Sequence, residues 1–366
     1  SFPQIHAWML SGLELMPTTG EVDPSRWHDG WKSAFSHDSE LVQPGYHRVF
    51  LDRYSTWVEQ TASDRVSFYR FSYTEETDAS ILINLGGYVS TSTMTGARVT
   101  KISDTEIEGS FNTVGRIWGG PEKVQIFFAL KFDTPMLQLD NWNGEIKASD
   151  IRTLEAEDKS TPKRENGMSY HDALTAGVSA KYKVKRGDQL KVKIAISYTS
   201  IENAWENMDS EFRHWDFDKI REEAREDWNQ SLGKIEVKGG TRNQRVKFYT
   251  DLWHTLLGRH KLNDYSGDYP DYTQGERKGA HTDARLQVRK LPVDANGMPN
   301  FNMYNSDAFW LTQWNLNILW GLGWPHLLDD FSASLVQYAD NGELLPRGPC
   351  AGGYSYIMTG CPSTNL

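Results

Sequence analysis

A chain of 366 residues exceeds the size at which one hydrophobic core keeps growing, so two domains, or one and a large part of a second, are expected. Hydrophobic residues at 38% and charged residues at 24% fit a folded globular protein, and no apolar run approaches the roughly 18 residues a bilayer-spanning helix needs. The 49 acidic residues against 39 basic ones, a formal net charge of −10, oppose a phosphate backbone as partner, so membrane span and nucleic acid are both set aside.

Aromatic residues are the outlying feature, with 14 Trp, 16 Tyr and 15 Phe. Two readings stand: a large aromatic core, or flat rings with polar handles lining a sugar-binding cleft. The two cysteines, Cys350 and Cys361, are too few for a disulfide-dense module or a Cys-rich zinc site, and their spacing leaves open whether they bridge. The chain starts Ser-Phe-Pro-Gln with neither initiator Met nor signal peptide, which reads as a processed or trimmed start, so the compartment has to follow from function.

In chain order, residues 45 to 200 carry short alternating runs: HRVFLD (47–52), RVSFYRFSY (65–73), SILINL (80–85), KVQIFFALKF (123–132) and KVKIAISY (191–198). In the last, Val192, Ile194 and Ile196 face one way and Lys193 and Ser197 the other, the period of a half-buried strand. Many short strands separated by Gly, Pro, Asn and Asp imply a β-sandwich. The polar segment 147–167 lacks periodicity and reads as a solvated loop.

The pattern changes at WDFDKIREEAREDWNQSLGKI (215–235), where Ile220, Ala224, Trp228 and Leu232 mark one face of an amphipathic helix with Asp216 as N-cap. After Gly239-Gly240, TRNQ (241–244) has capping-box spacing, and Val246, Tyr249, Trp253 and Leu256 give the next stripe. The stretch 307–322 is apolar on every side and so is expected inside the fold, where Thr312, Gln313, Asn315 and Asn317 need partners. Pro325 opens a further helix, with Leu327, Leu328, Phe331, Leu335 and Val336 on one side, ending near Asn341-Gly342. An inner helix followed by an outer one suggests the hairpins of an (α/α) toroid, with too few helices to close the ring.

The chain contains no Walker loop, GxGxxG after a strand, HExxH or GxSxG, so nucleotide hydrolysis, nicotinamide chemistry, zinc proteolysis and α/β-hydrolase chemistry lose their usual signals. In DYSGDYPDY (264–272), Asp264, Asp268 and Asp271 lack the glycine and terminal glutamate of an EF-hand, which favours a surface loop over a calcium site. A sandwich beside a toroid mouth forms a cleft suited to a glycan.

Particular residues then point to a family. FPQIHAWMLSGLELMPTTG (2–20), FSHDSELVQPGYHRVFL (35–51), WDFDKIREEAREDWNQSLGKIEVKGGT with FYTDLWH (215–254), and NGELLPRGP (341–349) occur in an order that resembles glycoside hydrolase family 92. The resemblance implies a calcium-dependent, inverting exo-α-mannosidase of a bacterium, periplasmic or extracellular, with a mannoside glycan as substrate. It also implies a β-sandwich over 1–212, a helical linker over 213–240 and the first part of an (α/α)6 toroid over 241–366. The family's base aspartates and most of its calcium ligands then fall beyond residue 366. The chain is thus read as C-terminally truncated and inactive alone, with the missing toroid segment, in one reading, supplied as a separate chain.

Two departures stand out against the family pattern. Its inner-helix W-D-T-x-R is matched here by Trp310-Leu311-Thr312-Gln313-Trp314, and its acid, a Glu before a Met-x-Gly turn, by Tyr354 before Met358-Thr359-Gly360. Tyrosine, with an ordinary pKa of about 10 against about 4.3 for Glu, is a poor proton donor at neutral pH. It suits a leaving group that needs no proton, or a binding role; alternatively it packs while Glu343 supplies the acid. His6, Trp8, Trp310, Gln313, Trp314, Arg347 and Tyr354 are the expected sugar-binding positions, against core packing for the tryptophans and a solvated cation for Arg347. A non-catalytic carbohydrate-binding relative is the alternative function.

Overall fold

The computed structural model describes residues 2–3, 13–89, 92–114, 119–157, 163–165, 168–170, 174–257, 260–305, 312 and 314–356. The chain forms two compact units, Ser1–Ile117 with Glu122–Phe217, and Trp118–Pro121 with Asp218–Leu366.

The first unit is the sandwich. One antiparallel sheet runs Phe2–Pro3, Glu14–Thr19, Thr77–Asn84, Ala176–Val184, Gln138–Asn143, Ile146–Ala148. The other runs Thr153–Glu157, Ser92–Ser103, Glu106–Val114, Lys123–Phe132, Gln189–Ser197, Val66–Tyr73, Thr56–Ala62, Tyr46–Leu51, Leu41–Gln43, with Tyr88–Val89 added beside Ser92–Ser103. In Val66–Tyr73, Val66 and Phe68 fall on one face and Tyr69, Phe71 and Tyr73 on the other, and all five are buried, so this strand is covered on both sides.

Two expectations for this unit are corrected. The supposed loop at 147–167 contains Thr153–Glu157, which pairs antiparallel with Ser92–Ser103 and buries Leu154 and Ala156. Only two apolar residues carry that alternation, too few to rise above the surrounding charges. The strand Gln189–Ser197 is buried on both faces rather than one. Helix α1, Ile201–Glu211, covers the second face, and Ser200 caps it by accepting the Asn203 N–H at 3.0 Å. Glu211 anchors its end, accepting from the Arg65 guanidinium at 2.7 Å and the Arg65 N–H at 3.0 Å.

Lys193 is therefore enclosed, 3% exposed. Its ammonium donates to the Phe212 carbonyl at 2.7 Å and lies 4.4 Å from the Trp215 ring centre. Burial, helped by the Lys131 charge and opposed by Asp209, pulls its pKa down to about 8.

In the second unit, helix α2, Phe217–Leu232, turns Ile220, Ala224, Trp228 and Leu232 to its less exposed side, as its pattern predicts. Helix α3, Arg242–Thr255, opens with the expected capping box: Thr241 Oγ1 accepts the Gln244 N–H, and Gln244 Oε1 accepts the Thr241 N–H at 2.8 Å. Its inward face is Phe248, Tyr249, Leu252 and Leu256, whereas Val246 points outward. Helix α4, Leu316–Gly323, and helix α5, Pro325–Gly342, complete a core of Leu252, Tyr304, Trp320, Trp324 and Phe331.

The stretch 307–322 was expected wholly inside, and here the structure differs. Residues 306–311 and 313 lie outside the described residues. Of the rest, Ile318 and Leu322, four apart on one face of α4, are 62% and 82% exposed, and Trp314, just ahead of the helix, is 68% exposed. Asn317, by contrast, is buried, with neither amide atom partnered among the described residues. The Asp264–Tyr272 region is not a surface loop either: Asp268–Asp271 is a strand paired with Gln287–Lys290, and Asp264 and Asp271 are buried.

Because the folded chain releases the Lys193 proton near pH 8 and the unfolded chain holds it to about 10.5, stability is expected to rise with pH across that window. The slope reaches at most about 1.4 kcal/mol per pH unit. Lys193→Met should flatten the rise in urea midpoints measured from pH 7.5 to 10. The α4 stripe predicts self-association of the isolated chain, and Ile318→Lys with Leu322→Lys should shift sedimentation or light-scattering mass towards 41.8 kDa.

Candidate functional site

The positions singled out by sequence separate into two groups. His6, Trp8, Trp310, Gln313 and Cys361 lie outside the described residues. Trp314 is exposed, two residues ahead of α4. Glu343 caps the C-terminal end of α5, where the Tyr354 hydroxyl meets Leu344, and Arg347 follows in the next loop.

Helix α5 ends on Glu343, whose N–H donates to Ala339 O at 2.7 Å and whose φ of 65° is left-handed. That conformation ordinarily falls to glycine, and a residue with a Cβ holds it at a cost on the order of 1 kcal/mol. The chain then enters a hairpin, Pro349–Cys350 against Gly353–Tyr354, whose corner residues Ala351 and Gly352 both have positive φ, the geometry of a primed turn. The Ala351 N–H donates to Asn305 Oδ1 at 2.6 Å, and Tyr272 N–H to Gly352 O at 2.8 Å. Half-buried Arg347 sits in the loop leading into this hairpin.

The hairpin carries Tyr354 underneath the helix end. Its hydroxyl lies 2.9 Å from both the Tyr338 and Leu344 carbonyls, which share its one proton, and accepts the Leu344 N–H at 3.3 Å. Gly342 makes this possible, since a Cβ there would stand 2.2 Å from the hydroxyl oxygen. Burial pushes the Tyr354 pKa up to about 12, the Leu344 backbone opposing it. A phenol so placed holds its proton at neutral pH and spends its hydrogen bonds on the helix cap. Of the candidates named from sequence, Glu343 is the one carboxylate; it is exposed, as is Asp340 three residues before it.

Sequence reasoning passed over the polar frame behind this corner. Asp271, with no exposed side-chain surface, accepts from Arg289 and from the Thr273 N–H at 2.8 Å. Asn341 Nδ2 donates to the Tyr269 hydroxyl at 3.0 Å, and its carbonyl accepts from Gln274 at 2.6 Å. The sole hint was the three tyrosines and three aspartates in DYSGDYPDY, which the absence of an EF-hand pattern led away from. Cys350 is buried and its thiol donates to Gly119 O at 3.4 Å.

For calcium, the described residues bring together no group of three or more His, Cys, Asp or Glu able to hold a metal ion. They do not assemble a cage for it, because Asp271 is already committed to Arg289. No step is assigned to the ion. Among the described residues no helix is long and apolar enough to cross a membrane.

Tyr354→Phe should leave two carbonyls and one N–H short of a partner and destabilise the chain by about 1–3 kcal/mol in chemical denaturation. A loss below about 0.3 kcal/mol would mean that the hydroxyl does not cap the helix.

Residues 1–197 match the family model described as Glycosyl hydrolase family 92 N-terminal domain, and residues 203–366 the one described as Glycosyl hydrolase family 92 catalytic domain. No curated protein matches the chain. Among solved structures, the family GH92 α-mannosidase BT3965 from Bacteroides thetaiotaomicron superposes with a TM-score of 0.77 at 22% identity, over 97% of this chain and 44% of its own. The family GH92 inverting mannosidase BT2199 from Bacteroides thetaiotaomicron VPI-5482 gives 0.77 at 22% identity over 98% and 42%. The GH92 family glycosyl hydrolase ccman5 gives 0.69 at 18% identity over 94% and 43%. The chain thus spans well under half the length of these structures, which share its sandwich followed by a helical domain. With both family models matched in order along nearly all of its length, the chain belongs to glycoside hydrolase family 92.

Proposed function

We propose that this protein acts on terminal α-mannosidic bonds of glycans, cleaving them with inversion, and that the described residues supply only part of the active site. The observation that carries this reading is the ordered match of both family 92 domains, in a fold shared with two proteins named as mannosidases, one of them described in complex with mannoimidazole and the other as inverting. An inverting enzyme needs an acid for the leaving oxygen and a base for water, their carboxyls about 6.5–9.5 Å apart. Within the described residues Glu343 is the candidate acid: it is exposed, and it occupies a left-handed position that glycine would fill with less strain. Arg347, four residues on, is a candidate for holding sugar hydroxyls, as are Trp314, Trp310, Gln313, His6 and Trp8. A calcium requirement, the base on further polypeptide, a sandwich over 1–212 joined through 213–240 to a toroid from 241, and a periplasmic or extracellular site belong to the same reading.

A second reading has one observation in its favour. Tyr354, at the family's acid position, is bound up in the end of α5, which suits a relative that binds mannosides without cleaving them. Full-length protein with calcium, assayed on aryl α-mannoside and on α-mannan, decides between the two. Turnover releasing β-mannose first is the expected result; glycan binding without turnover sustains the second reading. Glu343→Gln should slow cleavage of natural glycans by roughly a hundredfold or more, and much less that of a dinitrophenyl mannoside, whose leaving group needs no proton.

A further inference from the structure

The segment between Asp268–Asp271 and Gln287–Lys290 forms a smaller hairpin of its own. Arg277–Lys278 pairs with His281–Thr282, and the Glu276 and Asp283 backbones bond across its base. Between the two ladders the strands part around a cleft of about 440 Å³, lined by Gln274, Gly275, Asp283, Arg285 and Gln287. Gly275 closes one side: a Cβ there would stand 2.5 Å from the Ala284 nitrogen, so the two strands touch backbone to backbone.

No hydrocarbon side chain is in that lining; it holds two amides, a carboxylate and a guanidinium. Three of the four are held in place by neighbours. Gln274 Nε2 donates to Asn341 O at 2.6 Å, leaving Oε1 to accept. Asp283 Oδ1 accepts the Glu276 N–H at 2.8 Å, leaving Oδ2, 3.5 Å from Lys278 Nζ, with capacity to spare. Gln287 Oε1 faces Arg289 at 3.4 Å, leaving Nε2 to donate. Arg285 has no hydrogen bond or ion pair among the described residues, so its fork of N–H groups is open.

We infer that this cleft is a sugar subsite, taking vicinal hydroxyls of a glycan ring other than the one whose bond is cleaved. The inference rests on the glycan reading above and adds the recognition element for longer substrates. A carboxylate accepts from two adjacent hydroxyls while a guanidinium donates to two, and the amides supply one acceptor and one donor more. An apolar ligand would strand all four groups unpaired. A free anion would meet Asp283 beside Arg285, and a cation would meet Arg285 beside Asp283, so a neutral polyol is the ligand that satisfies both. Gln274 ties the cleft to the carbonyl of Asn341, two residues before Glu343, which places it next to the candidate acid along α5.

The 366-residue chain is titrated with α-mannobiose, with methyl α-mannoside and with inorganic phosphate, read by ligand-observed NMR. Arg285→Ala and Asp283→Asn are compared at matched melting temperature. Mannobiose is expected to bind and to lose about tenfold in affinity in either variant, the worth of a charged hydrogen bond, while methyl α-mannoside binds more weakly and phosphate does not compete. Unchanged mannobiose affinity in both variants overturns the subsite and leaves the glycan reading standing. Phosphate displacing mannobiose overturns the ligand class. Absence of any saccharide binding up to tens of millimolar overturns the subsite as well, and turnover by the full-length protein then decides the glycan reading independently.

Discussion

One phenolic proton, shared between the carbonyls of Tyr338 and Leu344, holds the helix end, the loop after it and the hairpin of the second unit in one arrangement. Its reach depends on Gly342, because any side chain there would occupy the oxygen's place. Once Tyr354 is seated, Ala351 is placed to donate to Asn305, Gly352 to accept from Tyr272, and Leu344 to donate back to the hydroxyl. Glu343 takes its position from this corner. Low exposure strengthens the arrangement, since a buried hydroxyl that lost these partners would find no water to replace them.

The same interaction carries a chemical consequence. A group whose hydrogen bonds and raised pKa keep its proton on backbone carbonyls does not deliver it to a leaving oxygen. At position 354 the chain carries a tyrosine whose hydroxyl serves as a structural cap. Glu343 faces solvent beside it, in a backbone conformation that stability alone would give to glycine.

In the sandwich, buried charge is matched group by group. Glu59 accepts from both ends of the Arg70 guanidinium, at 2.7 and 2.8 Å, and from the Tyr46 hydroxyl at 2.7 Å. Glu211 takes Arg65, and Lys193 finds a carbonyl and an aromatic face. Removing Arg65 would leave the Glu211 charge without compensation, and Arg65 and Lys193 together hold the end of α1 to one place on the sheet. Helix α4 shows the opposite condition, apolar side chains meeting solvent beside an Asn317 that has no partner among the described residues.

The strand type from HRVFLD to KVKIAISY, the capping box at Thr241, and the apolar stripes of α2 and, but for exposed Val336, of α5 were legible in the sequence because each is a local repeat that its own residues satisfy. The order of family motifs was legible for the same reason. What the sequence left undecided depended on partners far along the chain: Lys193 is enclosed by a helix that follows it, Leu154 and Ala156 by a strand some fifty residues earlier. Asp271, Arg289, Gln274 and Asn341 meet only after two hairpins and a helix end have folded together. By itself the sequence determined the element types, the two-domain composition and the absence of a Glu at position 354. Only the tertiary structure decided that Tyr354 caps a helix, because hydroxyl, glycine and carbonyls lie within hydrogen-bonding distance solely through the fold.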